Sequence, residues 1–256
     1  MTERPESERN PLLRRGDWRF LLGRIEPRRV FTRAGDALTG AVAAFAGEVV
    51  TDRPRGDCDL AVAEDPEPRR LDELYEALRP GGACYVEWRP APWGAGRMKR
   101  ALRSAGFTDI ACYRRCYGAD GLPIYWIPLE APGAAAYVRS RLRLRGGRTR
   151  RLVAETRRRL RDLARGRRAA RSAVAYRPGG TVDENGGPAG WLRSSWPREE
   201  LGPFPARLST LLATGGPRSV SKVVLLAFAE PDPLPRVALK MARVERAAAG
   251  LRREAA

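Results

Sequence analysis

The stretch CDLAVAEDPEPRRLDELYEALRPGGACYVEW, residues 58–88, decides the fold. CDLAVA (58–63) is a short apolar run of the kind found in buried strands. Residues 68–79 follow, with Leu71, Leu74, Tyr75 and Leu78 at i, i+3, i+4 and i+7, the apolar face of a helix. Pro80 helps to stop that helix, and Gly81 and Gly82 tolerate the positive φ that a sharp return needs. ACYVEW (83–88) is then a second strand. A strand, a helix and a strand in this order predict two adjacent parallel strands with the helix crossing between them.

The same grammar extends on both sides. RRVFTRAG (28–35) reads as a strand ending at a glycine, DALTGAVAAFAG (36–47) as a helix and EVVTD (48–52) as a second strand. This gives another β-α-β unit, with Gly35 at its first turn and Asp52 seventeen residues on. Downstream, RMKRALRSAGF (97–107) is a helix stopped near Gly106, TDIACYRRCY (108–117) a strand, and GLPIYWIPLE (121–130) a final antiparallel strand. The aromatic patch WRFLL (18–22) is expected to cover a sheet edge. The fold class is α/β: a shortened Rossmann-like, mostly parallel sheet with helices on both faces.

Composition removes whole classes of chemistry. The 256 residues contain no histidine, which excludes Ser-His-Asp and Cys-His nucleophile systems and imidazole metal sites. Cys58, Cys84, Cys112 and Cys116 lack CxxC spacing and read as buried reduced thiols, so no metal is expected. Lys and Arg number 48 against 30 Asp and Glu, and every basic residue except Lys99, Lys222 and Lys240 is arginine. An arginine excess of this kind, beside abundant Ala, Gly and Pro, matches the composition of GC-rich bacterial genomes. Charge alone therefore does not argue for nucleic acid. The polar start MTERPESERN and the absence of an apolar run near 18 residues point to a cytoplasmic protein with no transmembrane segment.

CDLAVA, then LRPGG and a strand, then a helix ending SAGF before another strand, resembles the class I S-adenosylmethionine-dependent methyltransferases over about residues 28–130. The resemblance implies S-adenosyl-L-methionine as cofactor, held by Gly35 and Asp36 at the first turn, by Asp52 on the ribose hydroxyls and by Glu64 after the third strand. It departs from the family in two places. The turn TRAGDALTG lacks a G-x-G core and carries Arg33 near the usual acid. Only RPRGD separates Asp52 from Cys58, where the family has a helix, a strand and another helix. Glu64, Asp65 and Glu87 are the acids at strand ends, and no catalytic residue is assigned.

The rest of the chain is read as two further segments after a methyltransferase-like domain at 1–138. Residues 139–207 comprise an Arg-rich helix and a Gly/Pro-rich linker. Fifteen arginines face only Glu155 and Asp162 across 139–171, with an apolar seam at Leu152, Val153, Leu160 and Leu163. Residues 208–256 resemble part of the N-terminal lobe of aminoglycoside-phosphotransferase-like kinases. There Lys240 and Glu254 match the phosphate-holding lysine and its acidic partner, and Gly215, Gly216 and Ser219 fall at the phosphate-covering loop. This resemblance implies a partner supplying the missing kinase C-lobe.

Three functions fit the sequence. One is a methyltransferase-like protein acting on a small-molecule acceptor. The second is a non-catalytic scaffold or half of a split methyltransferase-kinase polypeptide. The third is an anion-binding module that meets nucleic acid or an anionic surface through 139–171.

Overall fold

The computed structural model describes residues 6–23, 25–52, 56–88, 94–118, 120–144, 170–179, 187–214, 222–244, 247–248 and 251. An N-terminal helix α1 (Glu6–Arg15) and a 3-10 helix (Asp17–Leu21) precede β1 (Arg29–Arg33), α2 (Asp36–Ala43), β2 (Glu48–Val50) and β3 (Cys58–Glu64). Then come α3 (Pro68–Ala77), β4 (Leu78–Trp88), α4 (Ala95–Ser104), β5 (Thr108–Tyr117), β6 (Pro123–Pro128) and α5 (Pro132–Leu144). After these lie β7 (Arg171–Tyr176), α6 (Gly187–Ser194), α7 (Arg198–Leu201), β8 (Leu208–Ala213), β9 (Lys222–Ala229) and β10 (Val237–Ala242).

The ten strands among the described residues form one sheet, in the order β10-β9-β8-β6-β5-β7-β4-β3-β1-β2. Strands β2, β1, β3 and β4 are mutually parallel, and α3 crosses between β3 and β4 as the 58–88 stretch predicts. Beyond β4 every neighbouring pair is antiparallel. Side chains alternate between two cores, as a strand's period of two requires. Leu60, Val62, Ala83 and Tyr85 pack under the 3-10 helix and α2, while Ala61, Ala63, Cys84 and Val86 pack against α3 and α4. A third cluster joins α5 to β6, β8 and β9 through Ala134, Val138, Ile127, Leu211 and Phe228.

The LRPGG break lies inside a strand rather than before it. Leu78 pairs with Cys58 and Ala83 with Leu60, so residues 79–82 bulge opposite Asp59 alone. Asp59 holds the bulge: its carboxylate accepts from Arg79 Nε at 2.8 Å and from the backbone N–H groups of Arg28 and Arg29 at 2.7 and 3.2 Å. Gly81 adopts φ +77, and its N–H donates to the Arg177 carbonyl at 3.0 Å. The Arg177 guanidinium in turn donates to the carbonyls of Tyr75 and Leu78 at the end of α3. The bulge is thus tied to β1, to α3 and to the chain leaving β7.

Three expectations change. WRFLL does not cover a sheet edge. Trp18 and Phe20 are buried over the sheet face, with Trp18 stacked on Tyr85 of the inner strand β4 at 3.9 Å and 2°. The segment 139–207 is not wholly helix and linker, because RSAVAY supplies β7, fully buried between β4 and β5. Its apolar seam from Leu152 to Leu163 lies outside the described residues. Finally, β8 to β10 extend the common sheet through the β6–β8 pairing. Leu239 and Met241 pack towards the core, so alternation places Lys240 on the exposed side of β10.

Candidate functional site

The strand order reverses between β1 and β3: the chain leaves β1 towards β2 on one side and reaches β3 on the other. Helix α2 packs on one sheet face and α3 on the other, and in open α/β sheets such a switch point opens a crevice outside the carboxyl ends of the strands. Gly35 N-caps α2 there, its carbonyl accepting from the N–H groups of Leu38 and Thr39 at 3.1 and 3.0 Å. Glu64 ends β3 directly beside it. A Cβ added at Gly35 would stand 3.2 Å from Glu64 Oε2, tighter than ordinary van der Waals contact. A glycine lets the Glu64 carboxylate approach this closely without shifting.

The other expected residues line the same edge. Asp36 is exposed in the first turn of α2, and Asp52 is exposed just beyond β2. Asp65 follows Glu64 with φ +47, a left-handed conformation that aspartate tolerates better than most residues, and its N–H donates to the Glu87 carbonyl at 2.7 Å. Arg33, at the end of β1, spans the rim by donating to Glu73 Oε1 at 2.6 Å and to the Thr51 carbonyl at 2.7 Å. Its charge is therefore engaged beside the acids. Strand β2 is the sheet's edge, consistent with the missing third strand.

Glu87 behaves differently from the other acids. It lies at 0% side-chain exposure, on the face covered by the N-terminal segment. Arg15 grips both its oxygens, with Nη1 at 2.7 Å from Oε1, and Arg115 pairs with Oε2. The Tyr85 hydroxyl donates to Oε1 at 2.6 Å and accepts from Trp126 Nε1 at 3.3 Å. Burial alone would raise this carboxyl. The Arg115 charge and the Arg15 hydrogen bonds outweigh it and hold the group at about 2. Glu87 is a sealed anchor, neither solvated nor open to a ligand. The sequence signal for it was the DWRFLL patch next to Arg14-Arg15, whose meaning depended on contacts with β4.

Gly215, Gly216, Ser219 and Glu254 lie outside the described residues, so the expected kinase-like cluster is represented by Lys240 alone. The four cysteines are free, three of them buried, as expected. Among the described residues no cluster of His, Cys, Asp and Glu could hold a metal ion, and no helix is long and apolar enough to cross a membrane.

No protein-family model and no curated protein sequence matches the chain. Solved structures do. Haemonchus contortus phosphoethanolamine N-methyltransferase 2, in complex with S-adenosyl-L-methionine, aligns at 11% identity and a TM-score of 0.34, covering 65% of this chain and 57% of that one. This chain thus spans less than two thirds of that protein's length. A Thermotoga maritima methyltransferase, described as a possible histamine N-methyltransferase, aligns at 12% identity and TM-score 0.34, over 67% of this chain and 94% of its own. The Aquifex aeolicus tRNA (m1A58) methyltransferase aligns at 12% identity and TM-score 0.35, over 69% and 78%. With these scores below 0.5, the α/β assignment of this chain stands on its own strand order.

Proposed function

We propose that the crevice between β1 and β3 binds S-adenosylmethionine and that the protein is methyltransferase-like. The observation that carries this reading is the close approach of Glu64 to Gly35 at the point where the strand order reverses. The donor set suits the ligand. S-adenosylmethionine carries a sulfonium and an ammonium, and Asp36, Glu64 and Asp65 gather negative charge on this edge of an otherwise basic protein. Asp52, exposed beyond β2, would accept from ribose hydroxyls. When bound, the cofactor supplies an electrophilic methyl group. The residues of the chain hold and orient it, and methyl transfer asks mainly for alignment.

A scaffold without catalysis is the second reading. It is favoured by the burial of Glu87, which leaves the end of β4 without an available carboxylate. Calorimetric titration with S-adenosylmethionine separates the two. Binding at micromolar to low millimolar concentration, weakened about ten-fold or more by Asp52→Ala, supports the cofactor site. Absence of heat at millimolar ligand supports the scaffold, and tight binding insensitive to Asp52→Ala places the ligand elsewhere.

A further inference from the structure

The exposed charge on the helices is segregated rather than scattered. Helix α2 carries one acid and no basic residue, and α3 sets Arg69 and Arg70 against Asp72, Glu73 and Glu76. Helix α4 instead carries four basic residues and α5 three, and neither contains an acid. These two helices lie on one sheet face. Ile127, under α5, is the register partner of Arg114, which stands two positions from Cys112, under α4. Met98 and Leu102 of α4 and Ala134 and Val138 of α5 are buried against the sheet. Arg97, Arg100 and Arg103 are left exposed along α4 at i, i+3 and i+6, and Arg139 and Arg141 are exposed on α5. Like charges at this helical spacing repel each other. Glu130, which leads into α5, is taken by Lys99. Among the described residues no carboxylate pairs with Arg100, Arg103, Arg139 or Arg141.

Helix α4 lies over β5, and α5 over β6, β8 and β9. Strands β5 and β8 are two strand spacings apart, about 10 Å. The two arginine rows are thus separated by nearly the width of a B-form major groove, about 12 Å. We propose that Arg100 and Arg103 of α4, with Arg139 and Arg141 of α5, form a docking face for the phosphate backbone of a nucleic acid duplex. Each row meets the phosphates of one strand, with the groove between them. The planar guanidinium fork matches phosphate oxygens, and a polyanion offsets the repulsion within each row. Arg141 is already oriented for such a contact. Its Nε donates to the Tyr137 hydroxyl at 3.2 Å, and its guanidinium lies 5.3 Å from the centroid of that ring. Two other polyanionic partners fit less well. The exposed large apolar side chains among the described residues, Trp191 and Leu234, lie outside both helices. The face therefore offers no stacking platform for a single strand and no apolar anchor for a bilayer. Contacts confined to phosphates carry no sequence preference.

The test is fluorescence anisotropy of a short labelled DNA duplex of arbitrary sequence, titrated with the full chain over a series of salt concentrations. Affinity is expected to fall linearly with salt on logarithmic axes. Arg100→Gln combined with Arg139→Gln should make that slope shallower by about 1.8, two phosphate contacts at about 0.9 each. Arg193→Gln combined with Arg198→Gln removes the same charge from exposed positions on α6 and α7 and should leave the slope unchanged. Absence of duplex binding at low salt overturns the face. So does a slope that is unaltered in the α4–α5 variant, or reduced equally in both double variants, since binding then comes from net charge or from other arginines. A single strand of the same length bound as tightly as the duplex overturns the duplex assignment. Phosphatidylserine vesicles bound more tightly than the duplex, with the same dependence on Arg100 and Arg139, give the face to a membrane surface instead. No S-adenosylmethionine is present, so the outcome is independent of the cofactor crevice.

Discussion

Asp17 and Arg243, 226 positions apart, meet in a two-pronged ion pair with both nitrogen–oxygen distances at 2.8 Å and neither side chain exposed to water. Arg243 also donates to the Thr214 carbonyl at 3.0 Å, and Arg19 donates to the Arg243 carbonyl at 2.8 Å. The 3-10 helix near the start of the chain is thereby locked to the segment that leaves β10.

Removing one member leaves a buried charge without its partner. Arg243→Met is expected to cost about 3–5 kcal/mol in urea denaturation, and Asp17→Leu with Arg243→Met together to recover most of the loss. Burial already pushes the Asp17 carboxyl up, against the pull of Arg243. In Arg243→Met the folded pKa rises further above the unfolded one. Above about pH 4.5, stability of that variant should therefore fall more steeply with rising pH than that of the native protein, and an identical pH profile would contradict this arrangement.

The Glu87 cluster acts in the opposite direction on the pH axis. Its folded carboxyl is held at about 2 against an ordinary 4.5, so it contributes stability above about pH 4.5 that is lost as the pH falls towards 2. The loss is on the order of 3 kcal/mol. Urea midpoints measured between pH 6 and 2 should show this decline. Glu87→Gln should be less stable at pH 6 and show a shallower acid slope.

The bulge after α3 makes unequal demands on its two glycines. Gly81→Ala forces a side chain into φ +77 and should cost about 1–2 kcal/mol. Gly82→Ala meets backbone instead, with a Cβ at 2.9 Å from the Arg79 carbonyl oxygen and 3.0 Å from that of Cys58. It should shift the β3–β4 register locally and cost at least as much, with weakened amide-exchange protection at Arg177 as its signature.

Burial pushes all four thiols up, Cys58, Cys112 and Cys116 to about 11 and Cys84 further. The thiolate is the reactive form. At pH 8 the native protein should resist alkylation by iodoacetamide, and all four thiols should label once it is unfolded in guanidinium. Rapid native labelling of Cys84 would contradict its place under α3 and α4.

The alternating elements from residue 28 to 130 were legible because each carries its own period. Leu71 and Leu74 mark one face of α3, and CDLAVA and TDIACYRRCY mark strands without reference to anything distant. Glycine and acid positions at strand ends were legible for the same reason, and Gly35 and Glu64 do meet. What escaped the sequence depended on long-range partners. RSAVAY follows fourteen arginines within 139–170, and their charge masked a six-residue buried strand. Glu87 looked like any strand-end acid, since only the fold brings Arg15 and Arg115 onto it. Which side Lys240 faced was fixed by β9, which no local pattern encodes.

The place of β7 between β4 and β5 has a consequence for how the chain matures. Until residue 176 has emerged during synthesis, β4 presents a bare ladder of backbone donors and acceptors, and β5 does the same on its facing side. The parallel half of the sheet and the β5–β6 hairpin can each begin to form, but they share no edge to join along. Closure waits for a strand drawn from far downstream, and high sequence separation makes that step slow. During the delay two open apolar edges are exposed to other chains. A polypeptide cut anywhere between the end of β6 and the start of β7 keeps every strand from β1 to β6 yet lacks the one that joins its halves, and aggregation rather than a smaller folded domain is its natural fate.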